Sequence, residues 1–239
     1  MYLLNLFEAP TPLPLITSAL GFFATIYLLF STLAWWLARW VDRPLETRPL
    51  APGQVRIELR NSARSIFLFG LGMVFPWAFY QWGWVAIDSS QNWLRIVVEM
   101  LLLVIWNDVH FYALHRLLHA RFRKAHASHH RSIRATPFAS YSMGWMEALL
   151  LGSVLPLAML MHDFTAPALL FLPLWSLFIN TLSHSNCDLF PSANAESMLG
   201  FVKHHQSHHS SYHGNYAFFI SRLDTWFGTA RNSQQSEQT

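Results

Sequence analysis

The sequence predicts an all-α integral membrane protein, a helical bundle of four or five spans with a cytoplasmic helical cap that carries a histidine-rich di-metal site. Three observations support this fold class. Of the 239 residues, 53% are hydrophobic and only 12% are charged, which is unusual for a soluble globular domain. Several apolar runs approach or exceed the roughly 20 residues that cross a bilayer as a helix. Clusters of histidine, whose neutral imidazole binds metals, lie at the ends of these runs.

Five apolar runs are candidates for the spans. They are residues 9–38, 65–87, 93–113, 148–161 and 164–183. The third run contains Arg95, Glu99 and Asp108, and charges at such depth are expected to face the protein interior. The fourth run is only about 21 Å long as a helix. It therefore spans with help from the preceding segment, or it forms a re-entrant hairpin with the fifth run.

The basic residues predict the orientation of the bundle. Five arginines, from Arg43 to Arg64, fill the loop after the first run and six basic residues follow the third, whereas the turns at the opposite end have none. The positive-inside rule places both basic segments in the cytoplasm and the N-terminus outside. The histidine clusters then lie on the cytoplasmic face. We expect the bacterial inner membrane rather than the endoplasmic reticulum.

Eight of the 13 histidines form three clusters, and two of the clusters share the pattern His-x-x-His-His. The clusters are His115 with His119, then His126 with His129 and His130, then His205 with His208 and His209. A lone His184 lies between the last two clusters. Because residues three and four apart share a helix face, each cluster can direct two or three imidazoles at one point. These nitrogens are too many for one metal ion and suit two.

Other histidine chemistries fit the pattern less well. A metalloprotease needs a glutamate directly after the first histidine of the His-x3-His pair, and Arg116 stands there. A structural zinc site is filled by four ligands, and haem needs single histidines on facing helices. A non-enzymatic membrane protein that binds or transports metal remains an alternative. Two metal ions beside an apolar bundle instead favour O2-dependent oxidation of a lipid C–H bond.

The clusters and their neighbours carry a more specific signal. The motifs are D-x3-Y-x2-H-R-x2-H from Asp108, H-x2-H-H from His126, H-S-N from His184, H-x2-H-H from His205 and D-x2-F-G-T from Asp224. Together they resemble the fatty acid hydroxylase / sterol desaturase superfamily of membrane-bound histidine-box oxygenases, over about residues 108–229. Ala217 and Leu223 stand where the family usually has glycine and often tryptophan, which loosens the assignment to a subfamily.

The resemblance implies a non-haem centre of two iron ions that uses O2. Electrons would come from NAD(P)H through a separate cytochrome b5- or ferredoxin-type donor and its reductase. The substrate would be a fatty acyl chain, sterol or related lipid from the bilayer, hydroxylated or desaturated in lipid biosynthesis, and we expect no nucleic-acid partner. The implied metal ligands are His115, His119, His126, His129, His130, His184, His205, His208 and His209. Those we also expect to be essential for catalysis are His115, His119, His129, His130, His208 and His209.

The resemblance also suggests how the chain is organised. Residues 1–92 would form an N-terminal transmembrane hairpin with a basic cytoplasmic loop. Residues 93–231 would form the fatty acid hydroxylase-like catalytic domain, followed by a disordered tail, residues 232–239. We expect His204, next to the third cluster, to be exposed, and the lone histidines outside the clusters to be structural.

Four other polar residues have expected roles near the clusters. Asp108 is expected to accept a hydrogen bond from a ligand imidazole or to pair with a basic neighbour such as Arg116. Glu147, at the head of the fourth run, either supports a ligand or caps a helix, and the sequence leaves both open. Asn215 and Asp224 are predicted to form turns that close the cap.

Overall fold

The computed structural model of the protein describes residues 2–89 and 91–231. Within this part of the chain the structure has eleven α-helices. They are α1 (Tyr2–Glu8), α2 (Leu13–Val41), α3 (Gln54–Gly72), α4 (Val74–Gln81), α5 (Trp93–Arg121), α6 (Arg123–His126), α7 (Trp145–Gly152), α8 (Val154–Met161), α9 (Ala166–Ser183), α10 (Phe201–Ser211) and α11 (Arg222–Trp226). Short 3-10 helices occupy His129–Arg131, Pro137–Ala139 and Met198–Gly200. The predicted disordered tail, residues 232–239, lies outside the described residues.

The prediction of an all-α membrane bundle is confirmed. Between residues 2 and 231, leaving out residue 90, four helical segments are long and apolar enough to cross a membrane. They are Leu13–Val41, Gln54–Gln81, Trp93–Arg121 and Ala166–Ser183. Extended pairing within the same residues is limited to two isolated bridges, Pro44 with Cys187 and Asp88 with Thr165. Helix α5 continues eight residues beyond the predicted end of its run, so His115 and His119 belong to the last turns of a span.

Helices α7 and α8 run the depth of the bundle. At the start of α7, the Glu147 carboxylate contacts His126 at 2.9 Å, on the side of the histidine clusters. Just after α8, His162 contacts Glu99 near the start of α5, at the opposite end. The segment Trp145–Met161 is therefore not a shallow re-entrant hairpin with α9. It is shorter than the four candidate spans, at about 25 Å for 1.5 Å per residue.

Two helical segments, α3 with α4 and α7 with α8, are each interrupted four residues before a proline. Helix α3 ends at Gly72, four residues before Pro76, and α7 ends at Gly152, four residues before Pro156. Proline has no amide hydrogen, so the carbonyl four residues earlier loses its helical partner. The two breaks lie close together, since a Cβ on Gly152 would be 3.0 Å from the Phe69 ring. Residues of both breaks, Gly72 and Met73 with Gly152 and Ser153, line one cavity.

The embedded charges of α5 are largely paired inside the protein. Glu99 is buried and accepts hydrogen bonds from the Thr165 amide at 2.8 Å and the Thr165 hydroxyl at 2.7 Å. Arg95 Nε donates to Glu99 at 2.8 Å, and the arginine side chain is 36% exposed at the helix start. Asp108 is fully buried. The expectation that these charges face inward is confirmed for the two carboxylates.

The loop that carries the second histidine cluster is tied to the N-terminal part of the chain. Buried Glu58 on α3 accepts hydrogen bonds from the hydroxyls of Ser132 and Thr136 and from the side-chain amide of Gln54. The Gln54 amide also donates to the Arg134 carbonyl at 2.9 Å. The N-terminal hairpin therefore positions the metal-ligand loop directly. The domain boundary at residue 92 stays a prediction.

Gly144 offers a test of the packing between α6 and the start of α7. A Cβ at Gly144 would lie 2.0 Å from the Ala125 carbonyl oxygen, and the extended backbone of Gly144 (φ −67°, ψ 158°) is open to any residue, so only space opposes alanine. We expect Gly144→Ala to destabilise the protein by about 1–3 kcal/mol through overpacking. Gly21→Ala is the matched control, because nothing lies within 4 Å of its Cβ and alanine favours helices. Thermal unfolding followed by tryptophan fluorescence measures both, and equal midpoints would contradict the packing.

Candidate metal centre

All nine predicted ligands are buried and come together in two adjoining groups. The five-histidine group contains His115, His119, His126, His130 and His208. The four-histidine group contains His129, His184, His205 and His209. In each group the ligand nitrogens lie within 4.8 Å of one another. The two groups touch, since the rings of His130 and His209 are 4.9 Å apart.

The repeated His-x-x-His-His pattern divides its histidines between the groups in opposite ways. In the second cluster, the first and last histidines enter the five-histidine group and the middle one enters the four-histidine group. In the third cluster, which lies on α10, His205 and His209 enter the four-histidine group and His208 enters the other. His205 and His209 are one turn apart on α10, whereas the second cluster runs from the end of α6 into a 3-10 helix. Each of these two clusters contributes two histidines to one group and one histidine to the other.

Four histidines have their Nδ1 atoms held by backbone carbonyls. The pairs are His115 with Tyr216 at 2.8 Å, His129 with Ser142 at 3.3 Å, His184 with Asn180 at 2.7 Å and His208 with Gly214 at 2.6 Å. Carbonyl oxygens only accept, so each of these Nδ1 atoms carries the hydrogen. Each Nε2 atom then presents a lone pair to the interior of its group.

Burial keeps these imidazoles neutral. It lowers the pKa of His126 and of His184 to about 3, and the pKa of His129 to about 4. The pKa values of His205, His208 and His209 also fall well below the ordinary range, because burial and the neighbouring histidines both oppose a positive charge. Neutral imidazole is the form that binds metal, so the groups are in the binding state at physiological pH.

The arrangement of lone pairs fits metal ions. The Nε2 atoms of His115 and His126 face each other at 3.1 Å, and those of His129 and His184 at 3.2 Å. In the second pair both hydrogens are held on Nδ1, so neither Nε2 atom has a hydrogen to donate and a cation would offset the repulsion. Two nitrogens bound at right angles to one ion at about 2.1 Å are about 3.0 Å apart. The Nε2 atom of His119 is likewise buried in the five-histidine group without a hydrogen-bond partner.

Asp224 fixes the loop that orients the first ligand. Its carboxylate accepts hydrogen bonds from the amides of Tyr216 and Ala217 at 2.9 and 2.7 Å, and from the Thr229 hydroxyl at 2.6 Å. The Tyr216 carbonyl in turn accepts from His115. Although burial opposes it, hydrogen bonds to the carboxylate lower the pKa of Asp224. Asp224 lies in α11 rather than in the predicted turn, and its hydrogen bonds hold the loop that orients His115.

The prediction that His204 is exposed was wrong. His204 is only 2% exposed, and its Nε2 atom lies 2.8 Å from the Asp224 carboxylate. One side of helix α10 faces the two histidine groups, and the other side is covered by residues 212–231, called here the C-terminal loop. A histidine that points away from the histidine groups is therefore still buried. The signal in the sequence was the aspartate of the D-x2-F-G-T motif, which offers a buried acceptor.

Asp108 makes neither of the contacts expected for it. Its Oδ2 atom accepts a hydrogen bond from the Ile220 amide at 2.6 Å, and Arg116 instead donates to the Tyr112 hydroxyl at 3.3 Å. Asp108 therefore anchors the C-terminal loop to α5. Glu147 fulfils both roles left open for it, because it contacts His126 and accepts from the Gly144 amide at 3.1 Å. Asn215 has a left-handed backbone conformation, with φ 54°, directly after the bend at residues 212–214.

Sequence reasoning missed the aromatic wall of the five-histidine group. The Tyr212 ring lies 4.4 Å from that of His130, and the Tyr216 ring lies 5.0 Å from that of His119. Both tyrosines are half-buried, so they separate the group from solvent. Tyr212 ends α10 in the left-handed conformation, with φ 63°. The signal available in the sequence was the position of Tyr212, three residues after the last histidine of the third cluster.

A largely apolar cavity of about 470 Å³ leads to the centre. At its inner end lie Phe111 and Phe218, whose rings are 4.9 Å from that of His115 and 5.8 Å from that of His205. At its outer end lie side chains that are more than 40% exposed, among them Phe75, Leu149 and Leu160. The cavity therefore runs from the apolar outer surface of the bundle to Phe111 and Phe218, which contact one histidine of each group.

Comparison with known proteins agrees with this geometry. A family model described as fatty acid hydroxylase matches residues 100–229. The chain belongs to the fatty acid hydroxylase family. A delta(7)-sterol 5(6)-desaturase of Aspergillus fumigatus is 26% identical to it over 87% of the chain and 72% of the relative. A protein of the same description from Gibberella zeae is 23% identical over 87% of the chain and 65% of the relative. No solved structure significantly matches the chain.

These findings confirm the superfamily that the motifs indicated, and they support an oxidoreductase that hydroxylates or desaturates lipids. Both relatives are fungal, so they give no support to the expected bacterial inner membrane. The four apolar helices agree with a protein of the membrane.

Glu147 and Asp108 can be compared directly as supporting carboxylates. We expect Glu147→Gln to weaken metal affinity by about 10–100-fold, because glutamine cannot accept from both His126 and the Gly144 amide. Asp108→Asn should have a smaller effect, since Asp108 contacts no ligand and asparagine keeps an acceptor for the Ile220 amide. Titration of the metal-free protein with Fe²⁺ under nitrogen measures both affinities. A larger loss for Asp108→Asn would contradict the assignment.

Proposed function

We propose that the protein is an O2-dependent di-iron oxidoreductase that hydroxylates or desaturates a lipid at a C–H bond. The observation that carries the proposal is the meeting of two groups of imidazole lone pairs at the inner end of an apolar cavity. The family and the names of the two relatives support it. Because both relatives are described as sterol desaturases, a sterol is the first substrate to test.

Iron suits the ligand set better than zinc. Zinc sites in proteins are almost always four-coordinate, whereas five histidines converge in the larger group. Imidazole is a suitable ligand for iron as well as for zinc, so the number of ligands decides between them. Two bound iron ions would supply the activation of O2 that removal of hydrogen from an unactivated carbon requires.

The residues of the chain perform the other tasks. The acceptors at Nδ1 fix the ligand rings, so that their nitrogens face the ions before the metals bind. The Phe111 and Phe218 rings lie 4.6 Å apart between the cavity and the histidines. They keep water from the centre and leave an apolar surface for the reacting carbon. A lipid that enters from the bilayer can reach this surface without crossing water.

The reaction balance requires an external reductant. Hydroxylation consumes one O2, two electrons and two protons and yields one water; desaturation consumes the same and yields two. A basic surface beside the centre fits an acidic one-electron carrier, either a cytochrome b5- or a ferredoxin-type protein reduced by NAD(P)H. Its exposed members are Arg121, Arg123, Lys124 and Arg131.

The metal and the reaction are tested together. We expect the purified protein to hold two iron ions per chain without haem absorption, and to convert a lipid to a product 2 mass units lighter or 16 heavier. His208→Ala should abolish product and lower iron content, because it opens a coordination position and frees the Gly214 carbonyl. His162→Ala is the control. It should keep both iron content and product, because the His162 side chain is 48% exposed and contacts Glu99 near the start of α5, away from the histidine groups. Reversible metal binding without O2 consumption would support the non-enzymatic alternative.

The basic surface and the cytoplasmic orientation share a second test. In vesicles with the cytoplasmic face outward, added reduced carrier should be oxidised in the presence of lipid and O2, and salt should slow the reaction. Lys124→Glu with Arg131→Glu should slow it further, whereas Arg56→Glu, exposed on α3, should not. Soluble cytochrome b5 and a plant-type ferredoxin are tried in parallel. Oxidation only in vesicles of the opposite orientation would contradict the cytoplasmic placement.

A further inference from the structure

The cavity contains a hydrogen-bonding pair in its apolar wall. His110 on α5 and Ser153, at the break between α7 and α8, both line the cavity. The Ser153 hydroxyl donates to the Leu150 carbonyl at 2.7 Å. That hydroxyl has a single hydrogen, so its oxygen must accept at 3.1 Å from His110 Nε2. The pair therefore fixes His110 as a neutral imidazole with its hydrogen on Nε2.

This tautomer leaves a lone pair on His110 Nδ1. The Nε2 bond is the hydrogen bond that the structure gives this ring, and among the described residues nothing donates to Nδ1. An acceptor without a partner in an apolar wall is unfavourable, unless a ligand supplies the donor. Since the side chain borders the cavity, a donor on the ligand of that cavity can reach it.

We propose that His110 Nδ1 accepts a hydrogen bond from a hydroxyl group of the lipid and so orients it in the cavity. This inference rests on the proposed function and specifies its substrate class. Hydroxyl is the chemistry that fits, because no Asp, Glu, Lys or Arg occurs among the described residues that line the cavity. A phosphate or carboxylate headgroup would be buried there without a counter-charge, which is strongly unfavourable. The class is a neutral apolar lipid that carries a hydroxyl.

The position of His110 relates this hydroxyl to the metal centre. His110 precedes His115 by five residues, or about 7.5 Å along the axis of α5. Asn107, Phe111 and His115 follow one another at intervals of four, so they form one stripe from the cavity wall to the ligands. A hydroxyl held at His110 would place a carbon a few bonds away against Phe111, next to the centre. The subsite therefore selects which carbon reacts.

Sterols and long-chain alcohols share this chemistry, and binding measurements distinguish them. The iron-loaded protein in detergent is titrated with fluorescent dehydroergosterol, by energy transfer from tryptophan, without reductant. The probe is then displaced by cholesterol or by 5α-cholestane, which lacks the hydroxyl, and in a second arm by hexadecanol or hexadecane. We expect the hydroxylated member of one arm to compete about tenfold better than its partner, the effect of one hydrogen bond. The arm with the larger ratio identifies the lipid.

Variants assign the preference to His110. His110→Phe should bring the ratio close to one and leave the affinity for the hydrocarbon competitor unchanged, whereas His110→Asn, whose Oδ1 atom can replace Nδ1, should restore part of it. His162→Phe is the matched control and should keep the wild-type ratio. A wild-type ratio near one in both arms, or a preference unchanged in His110→Phe, would overturn the proposal. Iron content and product formation are measured separately, so a failed subsite is distinguished from a failed proposed function.

Discussion

The structure depends on one electrostatic constraint, the burial of nine imidazoles whose lone pairs converge. Without bound cations, the facing Nε2 atoms of His129 and His184 repel each other. Their rings cannot turn to relieve this repulsion, because the Nδ1 hydrogens are held by the carbonyls of Ser142 and Asn180 on the other side. The fold therefore stores an unfavourable arrangement that metal binding relieves, and metal affinity and stability are linked.

The acceptors come from parts of the chain far apart in sequence. They are the C-terminal loop at Gly214 and Tyr216, Asn180 on α9, Ser142 before α7 and Glu147 on α7. The ligand geometry is thus complete only when the bundle, the cap and the C-terminal loop have all packed. This dependence explains why the buried carboxylates Asp108 and Asp224 hold backbone amides of that loop. They affect the histidine groups indirectly, by holding the loop whose carbonyls accept hydrogen bonds from His115 and His208.

The sequence predicted what is local and missed what tertiary packing decides. The spans and the histidine clusters follow from hydropathy and helical spacing, which a short window of residues contains. The division of the clusters into groups of five and four does not, because it depends on how α10 faces the second cluster. The burial of His204 and the actual partner of Asp108 depend on the C-terminal loop, which covers surfaces that the helical pattern alone would leave open. Glu147 remained undecided for the same reason, since its two contacts come from different segments.

The cavity follows from backbone chemistry as much as from side chains. Pro76 and Pro156 interrupt two neighbouring helices, and Gly72, Met73, Gly152 and Ser153 at the interruptions all line the cavity. Ser153 lies at the break between α7 and α8, and its hydroxyl contacts His110 there at 3.1 Å. The same two prolines thus open space for an apolar ligand and place a polar group within it. Substrate selection can then change by substitution in this wall, while the histidines and their acceptors remain as the metals require.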